Sequence, residues 1–82
     1  MNKKEIEKNF KLSSQFNEYV IKNPEVVKGI SSTACIVMGS SRDPKLNQNN
    51  KELAKKIIKN ENKKCYQAIR LNGKWKIEPI KK

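Results

Sequence analysis

Three consecutive stretches decide the fold: Ala34-Cys35-Ile36-Val37-Met38-Gly39, then DPKLNQNNKELAKKIIKN from Asp43 to Asn60, then Cys65-Tyr66-Gln67-Ala68-Ile69-Arg70-Leu71. The first is an unbroken apolar run, the pattern of a strand covered on both faces. The second opens with Asp43 as an N-cap and Pro44 at the first helical position, where a missing N–H costs nothing. Leu46, Leu53, Ala54, Ile57 and Ile58 then line one side of this helix, and Lys51, Lys55, Lys56 and Lys59 the other. The third stretch alternates imperfectly, as a strand does. Strand, helix and strand in that order form a βαβ unit, whose right-handed crossover makes the two strands parallel.

Downstream, Asn72-Gly73 is a strong hairpin signal, since a type I′ turn needs positive φ at both central residues. The last strand, Lys74 to Pro79, is therefore antiparallel to the second, with Trp75 plugging the core and Pro79 at an edge. Upstream, Ile6, Phe10, Leu12, Phe16, Tyr19 and Val20 recur at helical spacing between Lys3 and Lys22 and predict an apolar half-face. Asn23-Pro24 ends that helix, and a short second helix follows to about Lys28, stopped by Gly29. The expectation is an α+β domain over residues 1–82 with the last few residues disordered. Its order is α-α(short)-β-α-β-β, with a small three-stranded mixed sheet packed against two main helices. With strand order 1-2-3 the most apolar strand is an edge, and an edge invites pairing. This motivates the expectation of a homodimer through that strand or the adjoining helix face.

The chain has 82 residues, 19 basic and 8 acidic, for a formal charge of +11. So dense a positive field makes polyanions natural partners. Lysine, asparagine and isoleucine abound throughout, so composition alone also accounts for the charge. Lys4, Lys8 and Lys11 form a row on the first helix opposite its apolar side, joined by Gln15 and Lys22 and diluted by Glu7 and Glu18. A nucleic-acid surface predicts Lys4, Lys8, Lys11, Lys55 and Lys59 on one continuous face holding phosphates. A protein-interaction module predicts scattered lysines and an exposed apolar patch instead. As a third class, Gly39-Ser40-Ser41-Arg42 lies where backbone N–H groups and a helix N-terminus converge on anions in α/β folds. That class of weak nucleotide or phosphate binder predicts a pocket at Ser40, Ser41, Arg42 and Asn50. The glycine spacing of the phosphate-loop fingerprints is absent.

There is no histidine, hence neither the commonest general base nor the commonest metal ligand. Cys35 and Cys65, each inside an expected strand, read as buried thiols rather than a redox pair, because they lack the C-x-x-C spacing. The chain is expected to be non-enzymatic and cytoplasmic, with no cofactor, no metal and no membrane span. Asn50 interrupts the apolar stripe of its helix, and a buried amide must find partners.

Asn9-Phe10, Leu12, Phe16, Tyr19-Val20, Asn23-Pro24-Glu25, the apolar strand, Asp43-Pro44, Asn50 and Leu53-Ala54 together resemble a small family of uncharacterised prokaryotic proteins, classed as a domain of unknown function. The resemblance runs over about residues 9 to 70 and implies a compact stand-alone domain. It brings no activity, cofactor or catalytic residue. Arg42 and its serines depart from the more acidic loop of that family.

Overall fold

The computed structural model describes residues 2–81. The first helix, α1 (Lys3–Lys22), starts where the Asn2 side chain accepts the Glu5 N–H at 2.9 Å and stops at Asn23, ahead of Pro24. A single 3₁₀ turn, Pro24–Val27, follows, one residue shorter than expected because the Lys28 backbone is already extended. Strand β1 (Cys35–Ser40) leads into α2 (Pro44–Glu61), and a hairpin of β2 (Cys65–Leu71) and β3 (Lys74–Ile80) completes the chain. The α2 helix runs one residue past the expected Asn60, and Asn62 closes it in the left-handed conformation at φ 52° with its N–H on the Ile58 carbonyl. Asn72 and Gly73 both have positive φ, 47° and 82°, as the hairpin signal required. The loose C-terminal end expected from the sequence falls partly on Lys82, outside the described residues; Ile80 is buried in β3.

The sheet order is β1-β2-β3, with β1 parallel to β2 and β2 antiparallel to β3. Alternation along the strands divides the core in two. Ile36, Met38, Ala68, Trp75 and Ile77 pack with Leu12, Phe16, Tyr19 and Val20 of α1. Cys35, Val37, Cys65 and Ile80 pack with Ala54, Ile57 and Ile58 of α2 on the opposite face. Phe16 and Trp75 meet with ring centroids 5.1 Å apart, tilted by 58°, a favourable aromatic geometry. Leu46, from the first turns of α2, joins the α1 side and links the two layers.

Three apolar residues expected inside lie outside. Ile6 and Phe10 are 56% and 76% exposed, and Leu53 is 45% exposed. Only the later turns of α1 cover the sheet. Its first turns meet α2 through polar groups instead, with Asn49 donating to Glu5, Asn9 and Asn50 exchanging amide bonds, and Lys8 pairing with Asp43. Leu53 sits on the flank of α2, beside the stripe of Asn50, Ala54 and Ile57.

Edge strand β1 is partly satisfied from within. Cys35 donates to the Lys64 carbonyl just before β2 and Ser41 to the Arg70 carbonyl of β2, so the N–H and C=O groups of Ile36, Met38 and Ser40 point away from the sheet. The Asn47 amide accepts the Ser40 N–H and donates to the Ser40 carbonyl, both at 2.7 Å, copying the bonds of a neighbouring strand. Asn50 donates to the Met38 carbonyl at 2.9 Å, and Gln67, reaching across Gly39, donates to Asn47 O at 3.0 Å. Gly39 makes room for this: a Cβ there would lie 2.8 Å from Asn47 Oδ1 and 3.2 Å from Gln67 Nε2. Half of the edge expected to recruit a second chain is therefore already occupied by α2.

Candidate nucleic-acid interface

Parallel pairing aligns the carboxyl ends of β1 and β2, placing Ser40 opposite Arg70. The chain then turns through Ser41 and Arg42 to Asp43, whose carboxylate caps α2 by accepting the Leu46 N–H at 3.2 Å. Over this end passes α1, presenting Lys8, Lys11 and Gln15. The result is a groove of about 250 Å³ lined by Lys8, Lys11, Leu12, Gln15, Ser40, Arg42, Asp43, Leu46 and Arg70. A smaller depression of about 110 Å³ continues it past Ser40, Ser41, Arg42, Arg70 and Asn72. Four cations thus face one carboxylate, and both arginines of the chain are among them.

Asp43 is held by Lys8, whose Nζ lies 2.8 Å from Oδ2. That contact, the Leu46 N–H and the charge of Lys45 depress the Asp43 pKa below its ordinary 3.8. Arg70 is steadied by a neutral partner, donating from Nη1 to Gln15 Oε1 at 3.0 Å, so its charge remains uncancelled. Lys11 and Arg42 are exposed. This arrangement offers two tethered cations, Lys8 and Arg70, and two exposed ones, Lys11 and Arg42, to an anionic oxygen.

The backbone does not offer a phosphate cradle. The Ser40 N–H goes to Asn47, the Ser41 N–H to the Arg70 carbonyl at 3.0 Å, the Arg42 N–H to Ser40 Oγ at 3.3 Å, and the Asp43 N–H to the Ser40 carbonyl at 3.0 Å. Each of these backbone donors is engaged within the protein. Asn50 finds the partners that a buried amide needs: it is 2% exposed, turned inward to Asn9 and the Met38 carbonyl, and takes no part in lining the groove.

Of the lysines read together from the sequence, Lys8 and Lys11 line the groove, and Lys4 lies one turn before Lys8 on the same side of α1. Lys55 and Lys59 do not join them. They occupy the outward side of α2, with Lys55 3.8 Å from Glu52, and Lys59 is roughly 24 Å along the helix from Asp43. Ser40, Ser41 and Arg42 fall where expected. Gln15 belongs to the α1 row read from the sequence, whereas sequence reasoning missed Arg70 and Asn72; aligning the carboxyl ends of the two parallel strands would have found Arg70. Of the two strand aromatics, Trp75 stands opposite Arg70 and, with Tyr19, lines a depression beside Gln15 and Arg70. Trp75 is itself buried against Phe16 and offers no open ring face, and Tyr66 lines open depressions beside Lys63 and Lys64 at the other end of the sheet.

Among the described residues, no helix is long and apolar enough to cross a membrane. Comparison with curated proteins and with solved structures gives no match to either. A family model does match, over residues 4–80, and it spans both helices and all three strands. The chain belongs to DUF5647, a family of unknown function.

Proposed function

We propose that this protein is a small, non-enzymatic, cytoplasmic binding module that holds single-stranded nucleic acid by its phosphates, in the groove between α1 and the carboxyl ends of β1 and β2. One observation carries the reading: Lys8 and Lys11 of α1, Arg42 of the β1–α2 loop and Arg70 of β2, three segments distant in the chain, line a single cleft that contains one carboxylate. A solvated lysine face explains charges scattered along a helix, but not the gathering of both arginines with α1 lysines across a fold. Binding of this kind releases counterions and is indifferent to base sequence. Phosphates compete with Asp43 for Lys8, and Arg70 and Arg42 supply planar donors suited to phosphate oxygens.

Fluorescence anisotropy with labelled mixed-sequence single-stranded RNA and DNA tests this. Each lost phosphate contact weakens binding about fivefold at 0.1 M salt, so Arg42→Ala with Arg70→Ala costs about 25-fold. Lys55→Ala with Lys59→Ala changes affinity far less. Equal losses from both pairs, or no binding at low salt, refute the proposal. Free nucleotides at millimolar concentration form a separate arm, expected to bind weakly because the loop N–H groups are engaged.

A second reading has its own observation. Ile6 and Phe10 lie one turn apart on α1 and are both exposed, as a protein-interaction face or homodimer contact requires. Light scattering across micromolar concentrations tests it: a monomeric mass removes the homodimer.

A further inference from the structure

Cys35 and Cys65 are far apart in sequence and have no role in the groove, yet the parallel register sets them directly opposite each other on β1 and β2. Their side chains share the α2 face of the sheet, in the cluster of Ala54, Ile80, Val37, Ile57 and Ile58, and the Cys65 thiol is near enough to perturb that of Cys35. Neighbouring strands are about 4.8 Å apart, inside the Cα separation of about 4.4–6.8 Å that a disulfide tolerates. Cys65 is 2% exposed, whereas Cys35 is partly open to solvent. One thiol can therefore meet a reagent, and the other is positioned to displace it.

We infer that Cys35 and Cys65 form a dithiol that closes to an intramolecular disulfide by exchange with a small-molecule disulfide of the glutathione type. Cys35 Sγ loses its proton to water and attacks one sulfur of the oxidised reagent. The reagent's S–S bond breaks, its first thiolate leaves and takes up a proton, and a mixed disulfide remains on Cys35. Cys65 Sγ then loses its proton and attacks the Cys35 sulfur, expelling the second thiolate, which is protonated in turn. The protein has lost two hydrogen atoms and two electrons, and one reagent disulfide has become two thiols.

The product ties the edge strand to the central strand and encloses the whole crossover from Cys35 to Cys65, including the Ser40–Asp43 loop. Burial and the neighbouring Cys65 thiol hold the Cys35 thiol up at about 12, so exchange is slow at neutral pH and accelerates about tenfold per pH unit as the thiolate becomes available.

The full-length protein, incubated with millimolar oxidised glutathione at pH 7, 8 and 9, supplies the test through intact mass, free-thiol titration in denaturant and thermal melting. The expected result is a loss of two hydrogen atoms, no free thiols, a monomer on a non-reducing gel, and a melting temperature raised by at least about 5 °C. Dithiothreitol restores the starting values. Cys35→Ser, folded by circular dichroism, should leave the Cys65 thiol free under the same conditions. Persistent glutathione adducts, a disulfide-linked dimer, or two unreacted thiols after prolonged exposure at pH 9 would overturn the inference.

Discussion

Replacing Gly39 with alanine adds a single methyl group, and the geometry around it sets the cost. The new Cβ would stand 2.8 Å from Asn47 Oδ1, 3.2 Å from Asn47 Cγ and 3.2 Å from Gln67 Nε2. Asn47 cannot swing aside freely, since its amide makes two 2.7 Å bonds to Ser40 N and O. Moving it forfeits both bonds, each contributing about 1 kcal/mol, and strands a half-buried donor and acceptor. Gly39→Ala should therefore destabilise the fold by about 2–3 kcal/mol. For a domain of this size that lowers the melting temperature by about 10–20 °C. Chemical denaturation of Gly39→Ala, Asn47→Ala and the double variant forms a closed cycle. Once Asn47 is truncated the clash is mostly gone, so the double variant should be scarcely worse than Asn47→Ala, a coupling of about 2 kcal/mol. A Gly39→Ala protein within about 0.5 kcal/mol of the parent, or additive losses, would refute the assignment of Asn47 as a surrogate strand neighbour.

Truncating the two phenylalanines of α1 separates its buried turns from its exposed ones: Phe16→Ala should cost about 3–5 kcal/mol, while Phe10→Ser should stay within about 0.5 kcal/mol. Urea midpoints decide, and comparable losses would contradict the exposed position of Phe10. Asp43 has its pKa depressed in the folded state, so its contribution is complete above the unfolded value near 3.8 and disappears as pH falls through the lower folded value. Asp43→Asn keeps a capping oxygen but abolishes the ion pair with Lys8. Its melting temperature should therefore be less sensitive to pH below 4 than the parent's, and identical acid limbs would count against the pairing.

The elements were legible because local chemistry announces them. Asp43-Pro44 marks a helix start, Asn72-Gly73 a tight turn, and Ala34 to Gly39 a strand covered on both sides, which the structure realises with α1 on one face and α2 on the other. The family resemblance also held, and the match extends beyond the stretch that suggested it. What periodicity could not convey is how much of a helix lies over the sheet. Ile6 and Phe10 have the right spacing for a core face, yet that part of α1 meets the polar side of α2. Asn50 was legible as a buried amide, whereas Asn47, the better mimic of a neighbouring strand, looks on a wheel like any polar flank residue. The groove was half legible. Its loop and lysines belong to local sequence, but Arg70 reaches them only through the register of two strands distant in the chain. Of the four engaged N–H groups of the loop, those of Ser40 and Ser41 likewise depend on contacts outside it, with Asn47 and Arg70.

The central claim is that four gathered cations hold the phosphates of a strand, and the salt dependence of binding measures it most directly. Four contacts to a single strand give a slope of about −2.8 in log affinity against log salt, or roughly a 50-fold loss between 50 and 200 mM. Removing Arg42 and Arg70 should bring the slope to about −1.4, roughly a sevenfold loss over the same range. A slope that the double variant leaves unchanged, or affinity indifferent to salt, would contradict the account.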